Sequence, residues 1–270
     1  MSSEKRIEFT KENIDTYLKE VAKEYRKQIG KNMPTEMILI GGASILVNYG
    51  FRNMTTDIDA VIQAASVMKD VINRVGDRYD LPNGWLNQDF VQTESYSPNL
   101  SRFSEYYKTY SNVLTIRTIA AEYLIAMKLR SGRQYKSDLS DVLGILAEHE
   151  KSGNPIALER IQKAVSDLYG DWNTLPEASQ NFISNVMRDG RFSELYAQTI
   201  IGEKETKELL IGFEQDYPGV TQETNVNEIV ENLQKKTNRA SVLAQLRERK
   251  PEARQQEPTK KPNTRNDYER

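Results

Sequence analysis

An apolar run that ends in two glycines constrains the fold of this chain more than any other feature. Residues 37–40 are all apolar, which predicts a buried strand, and Gly41 and Gly42 follow directly, ahead of a second apolar run at residues 45–47. Glycines in this position indicate a tight turn from a strand into a helix. Such a turn lets the backbone approach a phosphate closely, and the N–H groups at a helix start attract anions. The sequence therefore predicts a strand, a glycine turn that can hold an anion, and a helix.

Two aspartates follow in a second predicted strand, residues 56–62. Asp57 and Asp59 are two positions apart, so in a strand their carboxylates point to the same face, roughly 6–7 Å from each other. Like charges this close are unfavourable unless a cation lies between them, and hard oxygen ligands suit Mg²⁺ that carries phosphates. The alternative is a strand end with two solvated aspartates, but Asp is depleted in strands. The pair therefore predicts a metal site next to the glycine turn.

The composition excludes several classes of protein. The chain has 270 residues, no cysteine and one histidine, His149. Disulfides, thiolate sites and cysteine nucleophiles are therefore excluded, and histidine-centred triads are not expected. No apolar run reaches the roughly 18 residues of a membrane span, and the first residues lack the apolar core of a signal peptide. We expect a cytoplasmic protein with no membrane partner.

Hydrophobic periodicity predicts an α/β (α+β) fold with a mixed sheet, followed by a helical region. Helices are predicted at residues 11–30, 67–79, 120–130, 139–150 and 194–213 and after Pro155 and Pro176, and strands at residues 37–40, 56–62, 85–93 and 113–119. The predicted organisation is an α/β domain at 1–119, a helical domain that completes the cleft at 120–215, a linker and exposed helix at 216–250, and a disordered tail at 251–270.

These segments resemble the signature of the nucleotidyltransferase superfold. Residues 41–62 carry the resemblance, and residues 81–87 and 121–129 extend it. More narrowly, the chain resembles the standalone bacterial nucleotidyltransferase-like proteins that include AbiEii-type toxins and defence proteins. The resemblance implies an enzyme that uses Mg²⁺ and an NTP, with RNA such as a tRNA end, or a protein hydroxyl, as acceptor. It also implies a role as a toxin or in phage defence, with a cognate antitoxin or regulator as partner.

The resemblance assigns roles to the glycine turn and to the two aspartates. The aspartates would hold Mg²⁺ and position the nucleotide, and Gly41 and Gly42 would cradle its phosphates. Ser44 either binds a phosphate oxygen or caps the helix. Arg52 either neutralises phosphate charge or is an ordinary surface arginine.

A third carboxylate, which the resemblance implies on a later strand, has no clear candidate. The predicted strand at residues 113–119 contains Arg117 but no acid. Asp89 and Glu94 near the preceding strand are the candidates, and Asp89 is preferred. Without a third acid, the alternative is a catalytically inactive module that binds nucleotide or has a regulatory role.

A further group of charged residues follows the sheet region. The resemblance implies that Lys128 and Asp141 line the nucleotide cleft, with the ammonium on the triphosphate and the carboxylate fixing the lysine. Arg133 in a basic loop would contact triphosphate or RNA. Asp138 and Asp141 are three apart on a predicted helix and share a face. The alternative is a surface ion-pair cluster, which contributes little to stability.

Two features bear on RNA as a partner. Residues 235–270 carry eleven Lys/Arg and five Asp/Glu, whereas the whole chain has a net charge of −2. A basic tail can contact nucleic acid, although a solvated, disordered end is the simpler explanation. Tyr106, Tyr107 and Tyr110 either stack on exposed bases or pack over a sheet face.

Overall fold

The computed structural model describes residues 7–63, 65–133, 136–222 and 225–236. Its helices are α1 (Lys11–Ile29), α2 (Gly41–Asn48), α3 (Ala65–Tyr79), α4 (Ala121–Ser131), α5 (Asp138–Lys151), α6 (Leu158–Tyr169), α7 (Glu177–Asp189) and α8 (Phe192–Asp216). Its strands are β1 (Thr35–Leu39), β2 (Ile58–Ile62), β3 (Leu86–Asn87), β4 (Ser104–Tyr110) and β5 (Leu114–Ile119). Short 3₁₀ turns span Asp89–Gln92, Leu100–Phe103 and Trp172–Thr174, and residues 226–236 are helical.

The strands form one mixed sheet in the order β3-β2-β1-β5-β4. β1 is antiparallel to β2 and parallel to β5, β3 runs parallel to β2, and β4 closes the other edge antiparallel to β5. A mixed sheet with flanking helices, followed by a helical region, is the predicted architecture, and the structure confirms it.

The apolar run before the glycines is buried on both faces of the sheet. Met37 and Leu39 belong to one core cluster, with α1 and α3, while Ile38 and Ile40 belong to a second, with α4, α5 and α6. Alternate residues of a strand point to opposite faces, so a central strand with a core on each side is apolar throughout. This double burial fixes β1, and with it the position of the glycines that follow.

The opening helix forms as its sequence predicts. Thr10 accepts a hydrogen bond from the Asn13 backbone N–H, and the Asn13 side chain accepts one from the Thr10 N–H, which makes a capping box. Its apolar stripe is buried, and Gly30 ends the helix with φ +89°.

The sequence prediction differs from the structure at both edges of the sheet. Only Leu86–Asn87 of the predicted strand at 85–93 is extended, and the chain then turns into the Asp89–Gln92 3₁₀ turn. Conversely, the stretch that contains Tyr106, Tyr107 and Tyr110 forms the edge strand β4, which the sequence prediction missed. Tyr107 and Tyr110 donate to Asp15 on α1, 3.1 and 2.6 Å away, so these two hydroxyls attach β4 to α1.

The chain divides into two compact units, Met1–Glu205 and Thr206–Arg270. In the second unit, Val226 and Val230 are buried, and the Gln234 side chain donates to Thr206 Oγ1 at 3.0 Å. The predicted tail at 251–270, and the predicted exposed helix beyond residue 236, lie outside the described residues. Among the described helices, none is long and apolar enough to cross a membrane.

Candidate functional site

The start of α2 has no side-chain cap, and one of the two aspartates lies beside it. Gly41 is the first helical residue and has φ +53°, a left-handed conformation that favours glycine. Ile40 precedes the helix and provides no side-chain cap, and its N–H donates to the Asp59 carbonyl at 2.9 Å. A Cβ atom on Gly41 would lie 3.8 Å from Asp59 Oδ2. The uncapped helix start and this carboxylate therefore lie side by side.

Gly42 is required because two polar side chains lie against its backbone. A Cβ atom at this position would lie 2.7 Å from Thr55 Oγ1 and 3.0 Å from Arg52 Nη2. Arg52 also donates from Nε to the Met54 carbonyl at 3.1 Å, which holds its loop. The guanidinium of Arg52 is therefore next to the helix start, where it adds positive charge to the N–H groups of α2.

The two aspartates differ in burial. Asp57 is exposed and lies directly before β2, while Asp59 is half-buried within β2. Burial, with the charge of Asp57 as the second cause, raises the pKa of Asp59 to about 6, and Lys136, Lys128 and Arg133 act in the opposite direction. The structure thus brings the two predicted metal ligands together with several cations. A bound cation would remove the unfavourable charge on Asp59.

Lys128 is the centre of a group of five charged side chains that we call the ion network, Arg52, Lys128, Arg133, Asp138 and Asp141. Lys128 Nζ is 2.7 Å from Asp138 Oδ1 and 2.8 Å from Asp141 Oδ2. Arg52 Nη1 donates to both oxygens of Asp141, at 2.7 and 2.6 Å. Arg133 Nε donates to Asp138 Oδ2 at 2.8 Å. The network joins the loop after α2 to α4 and α5.

Burial and pairing act against each other in this network, and pairing dominates. Burial alone lowers the pKa of Lys128, but Asp138 and Asp141 raise it above its ordinary value. Burial likewise raises the pKa of Asp138, but Lys128 and Arg133 hold it well below its ordinary range. Lys128 and Asp138 therefore stay charged although they are buried. The network is thus unlike the exposed ion-pair cluster considered as the alternative, which would contribute little to stability. With three cations and two carboxylates, the network itself has a net positive charge.

Ser44 is not placed to bind phosphate. Its side chain is fully buried and Oγ accepts from the Ile119 backbone N–H at 3.3 Å. The hydroxyl therefore attaches α2 to the end of β5, and neither predicted role, phosphate ligand or helix cap, describes it.

The structure does not bring Asp89 into a three-carboxylate site. Asp89 is exposed in the 3₁₀ turn, and its N–H donates to Asn87 Oδ1 at 2.8 Å. Glu94 is 87% exposed and lies 3.7 Å from Arg130. In the described part of the chain, no group of three or more His, Cys, Asp or Glu side chains is arranged to hold a metal. The residue in register with Asp59 on the neighbouring strand is Asn87, an amide and not a carboxylate.

Two contributors to the site were missed by the sequence prediction. Thr55 Oγ1 donates to Asp57 Oδ1 at 3.5 Å and lies over Gly42, and Thr55 itself pairs with Phe9 in an isolated bridge. Glu203 of α8 accepts hydrogen bonds from the Leu139 and Ser140 backbone N–H groups at the start of α5. Thr55 adjoins the motif and could have been recognised. Glu203 is more than sixty residues from its partners, and no local pattern indicates the contact.

The comparison with protein families decides the classification. A family model described as "Nucleotidyltransferase of unknown function (DUF6036)" matches residues 16–166. The chain belongs to this nucleotidyltransferase family. The matched segment contains the glycine pair, both aspartates and the whole ion network, so every predicted site residue lies inside it. Searches of curated proteins and of solved structures gave no match. The family description supports a general nucleotidyltransferase activity and therefore a protein that binds a nucleotide. It does not support the narrower AbiEii type.

Proposed function

We propose that this protein uses Mg²⁺ to transfer a nucleotidyl group from an NTP to RNA, such as a tRNA end, or to a protein hydroxyl. One observation carries the proposal, namely that Asp59 borders the uncapped start of α2 while Arg52 lies over Gly42. A carboxylate for a metal and two kinds of anion-binding group thus meet at one point. Metal-bound triphosphates need this combination.

The residues present fit Mg²⁺. Asp57 and Asp59 offer hard oxygen ligands, and the raised pKa of Asp59 has unrelieved negative charge among its causes. Mg²⁺ is usually held by one or two carboxylates together with substrate phosphates and water, so the absence of a third acid in the described residues is compatible with it. When bound, Mg²⁺ would neutralise charge on the phosphates of the NTP.

The protein's own groups would bind and orient the triphosphate. The N–H groups at the start of α2 and the Arg52 guanidinium are suited to its phosphate oxygens. Lys128 is buried and paired on two sides, so we assign it to holding Asp141, and through Asp141 the guanidinium of Arg52. Lys128 would then act through Arg52 and not as a direct phosphate ligand.

The physiological setting we propose is that of a toxin or phage-defence component with a cognate antitoxin or regulator. The support is the resemblance of residues 41–62 to AbiEii-type proteins. Induced expression in a bacterial host tests it. Growth should stop with the wild-type chain and continue with Asp57→Asn, while a charge-matched control on the exposed face of α3, Asp70→Asn, should be as toxic as wild type.

The biochemical test is incubation of the protein with each labelled NTP, Mg²⁺ and either total RNA or lysate protein. Label in RNA or in protein identifies the acceptor class, and the preferred NTP follows from the same experiment. Asp59→Asn should abolish labelling and Asp70→Asn should not. Labelling that persists in both aspartate variants, Asp57→Asn and Asp59→Asn, would contradict the assigned metal site.

One observation favours the second candidate, a module that binds nucleotide without transferring it. The residue in register with Asp59 on the neighbouring strand is Asn87, an amide that cannot serve as a third acid. In that case the protein should bind NTP with Mg²⁺ in a calorimetric titration while no acceptor is labelled. Asn87→Asp is the matched variant, because it places a carboxylate in register with Asp59 without changing side-chain size.

A further inference from the structure

The start of α5 is capped by a residue from a distant helix. Ser137, the residue before α5, makes no side-chain cap. Instead, Glu203 Oε1 on α8 accepts from the backbone N–H groups of Leu139 and Ser140, at 3.2 and 3.1 Å. These are donors that a helix start leaves without partners inside the helix, and a negative charge there is favourable. Glu203 therefore fixes the first turn of α5.

That same turn positions Arg52. It carries Asp138 and Asp141, and Asp141 accepts both hydrogen bonds from Arg52 Nη1. A shift of this turn would move the Asp141 carboxylate, and the guanidinium that it holds would move with it. Glu203 is thus linked to the Arg52 guanidinium, which lies over Gly42, by two contacts in series. The first joins Glu203 to the backbone of α5, and the second joins Asp141 of α5 to Arg52.

A second contact from α8 holds Phe51, the residue before Arg52. The Tyr196 hydroxyl donates to the Phe51 carbonyl at 3.0 Å, and the two rings meet edge to face with centroids 5.5 Å apart. The Phe51 ring in turn covers Gly144 of α5, where a Cβ atom would lie 2.5 Å from it. The residue that precedes Arg52 is therefore fixed between α5 and α8.

We propose that Tyr196 and Glu203 form a clamp, and that both are positioning residues which set the Arg52 guanidinium at the nucleotide site. The proposal rests on the proposed function for the identity of the ligand, a Mg²⁺-bound nucleoside triphosphate. Both residues lie beyond residues 16–166, the segment that the family model matches. The clamp is thus a device that α8 adds to the family segment, and both of its contacts lie within the unit Met1–Glu205.

The test compares three variants of the full chain. Glu203→Ala removes both hydrogen bonds to α5, and Glu203→Gln keeps an oxygen that can accept them. Glu205→Ala removes the same charge from an exposed position on the same helix. We expect ATP with Mg²⁺ to bind about tenfold more weakly to Glu203→Ala. A tenfold loss is the lower end of the range seen when a residue that orients the ligand-binding side chains of a metal site is mutated. Glu203→Gln should restore most of the affinity, and Glu205→Ala should match wild type.

Hydrogen exchange in the nucleotide-free protein separates this proposal from the proposed function. The clamp predicts faster amide exchange in residues 50–55 of Glu203→Ala, although Glu203 does not contact that loop. A purely local cap would speed exchange only at the start of α5, and wild-type affinity together with an unchanged loop would overturn the proposal. Accelerated exchange in a protein that binds none of the four NTPs with Mg²⁺ would keep the clamp and refute the proposed function.

Tyr196→Phe keeps the test decisive if Glu203→Ala does not fold. It removes one hydroxyl and retains the ring against Phe51. We expect weaker ATP binding and faster exchange in residues 50–55, with circular dichroism unchanged. Unaltered affinity and exchange in this variant would count against the clamp.

Discussion

Asp57 and Asp59, the two ligands of the proposed metal site, carry the same side chain in different surroundings. Asp57 is exposed, with Thr55 Oγ1 3.5 Å away as a donor. Asp59 is half-buried beside the start of α2, and its pKa is raised to about 6 because burial and Asp57 both disfavour its charged form. The folded protein without metal therefore carries an unfavourable charge at neutral pH.

Asp59→Asn should stabilise the metal-free protein above pH 6. A carboxyl whose pKa is raised on folding destabilises the fold when ionised. The effect is full above the folded value of about 6 and vanishes below the unfolded value of about 3.9. We expect a gain of about 1–2 kcal/mol at pH 8, reduced by partial exposure, and almost none at pH 4. Urea unfolding at both pH values measures it, with Asp70→Asn as the control; a less stable variant at pH 8 would show that Asp59 is structural.

Lys128→Met should destabilise the fold strongly. Methionine keeps most of the side-chain volume but leaves Asp138 and Asp141 without the ammonium that both contact. Removing one partner from a buried ion pair costs about 3–5 kcal/mol. Adding Asp138→Asn should recover part of this stability, because one of the uncompensated charges is then removed. Denaturant unfolding of the two single variants and the double variant measures the coupling, and simple additivity would contradict a shared network.

At the scale of elements, α2 has two parts with different roles. Its two glycines border the candidate site, and the residues that follow them pack in the core. Residues 43–47 are buried, while the glycine end faces Arg52, Thr55 and Asp59. Packing of these buried residues therefore fixes the helix, and its N-terminus faces the three polar side chains without a side-chain cap of its own. Ser44 illustrates the division, since its hydroxyl binds the backbone of β5.

Gly42→Ala tests this close approach. The added Cβ would lie 2.7 Å from Thr55 Oγ1 and 3.0 Å from Arg52, so the guanidinium must move. We expect a decrease of about 1–3 kcal/mol in stability, the range for overpacking, together with weaker ATP binding. Gly202→Ala in α8 is the matched control, because nothing lies within 4 Å of the added atom, and it should stabilise by roughly 0.5–1 kcal/mol. Equal effects of the two substitutions would show that Gly42 is not a close-approach position.

Elements with a strong apolar pattern could be predicted from the sequence, and elements defined by edges could not. The run at residues 37–40, which includes the end of β1, is apolar because both faces of the sheet are buried there, and α1 has an apolar stripe and caps. β4 is an edge strand with mostly exposed side chains, so its pattern carries little signal. β3 has only two residues, and its pairing with β2 depends on register. The local motif at residues 41–59 was likewise visible, whereas Ser44 depended on which side of α2 faces the core.

At the scale of the whole molecule, the site is assembled from segments far apart in the chain. Arg52 meets Asp141 across 89 positions, and Glu203 meets Ser140 across 63. Contacts over such separations follow from the packing of α4, α5 and α8, and a local sequence pattern does not contain them. Asp138 and Asp141, three positions apart on α5, are the part of the network that helical spacing could indicate.

The charge distribution along the chain gives the last prediction, on RNA as an acceptor. Residues 237–270, which lie outside the described residues, carry nine Lys/Arg and five Asp/Glu, while the chain as a whole is at −2. If this basic segment binds RNA, a chain that stops at Lys236 should bind tRNA more weakly at about 50 mM salt and nearly as well as full length at about 300 mM. The reason is that each phosphate which the protein neutralises releases counterions from the RNA. The slope of log K against log salt should therefore become shallower by about 0.7 for every phosphate contact that the shortened chain loses.

Filter binding over a salt series measures the slope, and the melting temperature checks that the shortened chain is folded. Identical slopes in a folded protein would place any RNA binding on residues 1–236 and contradict a role for the basic segment.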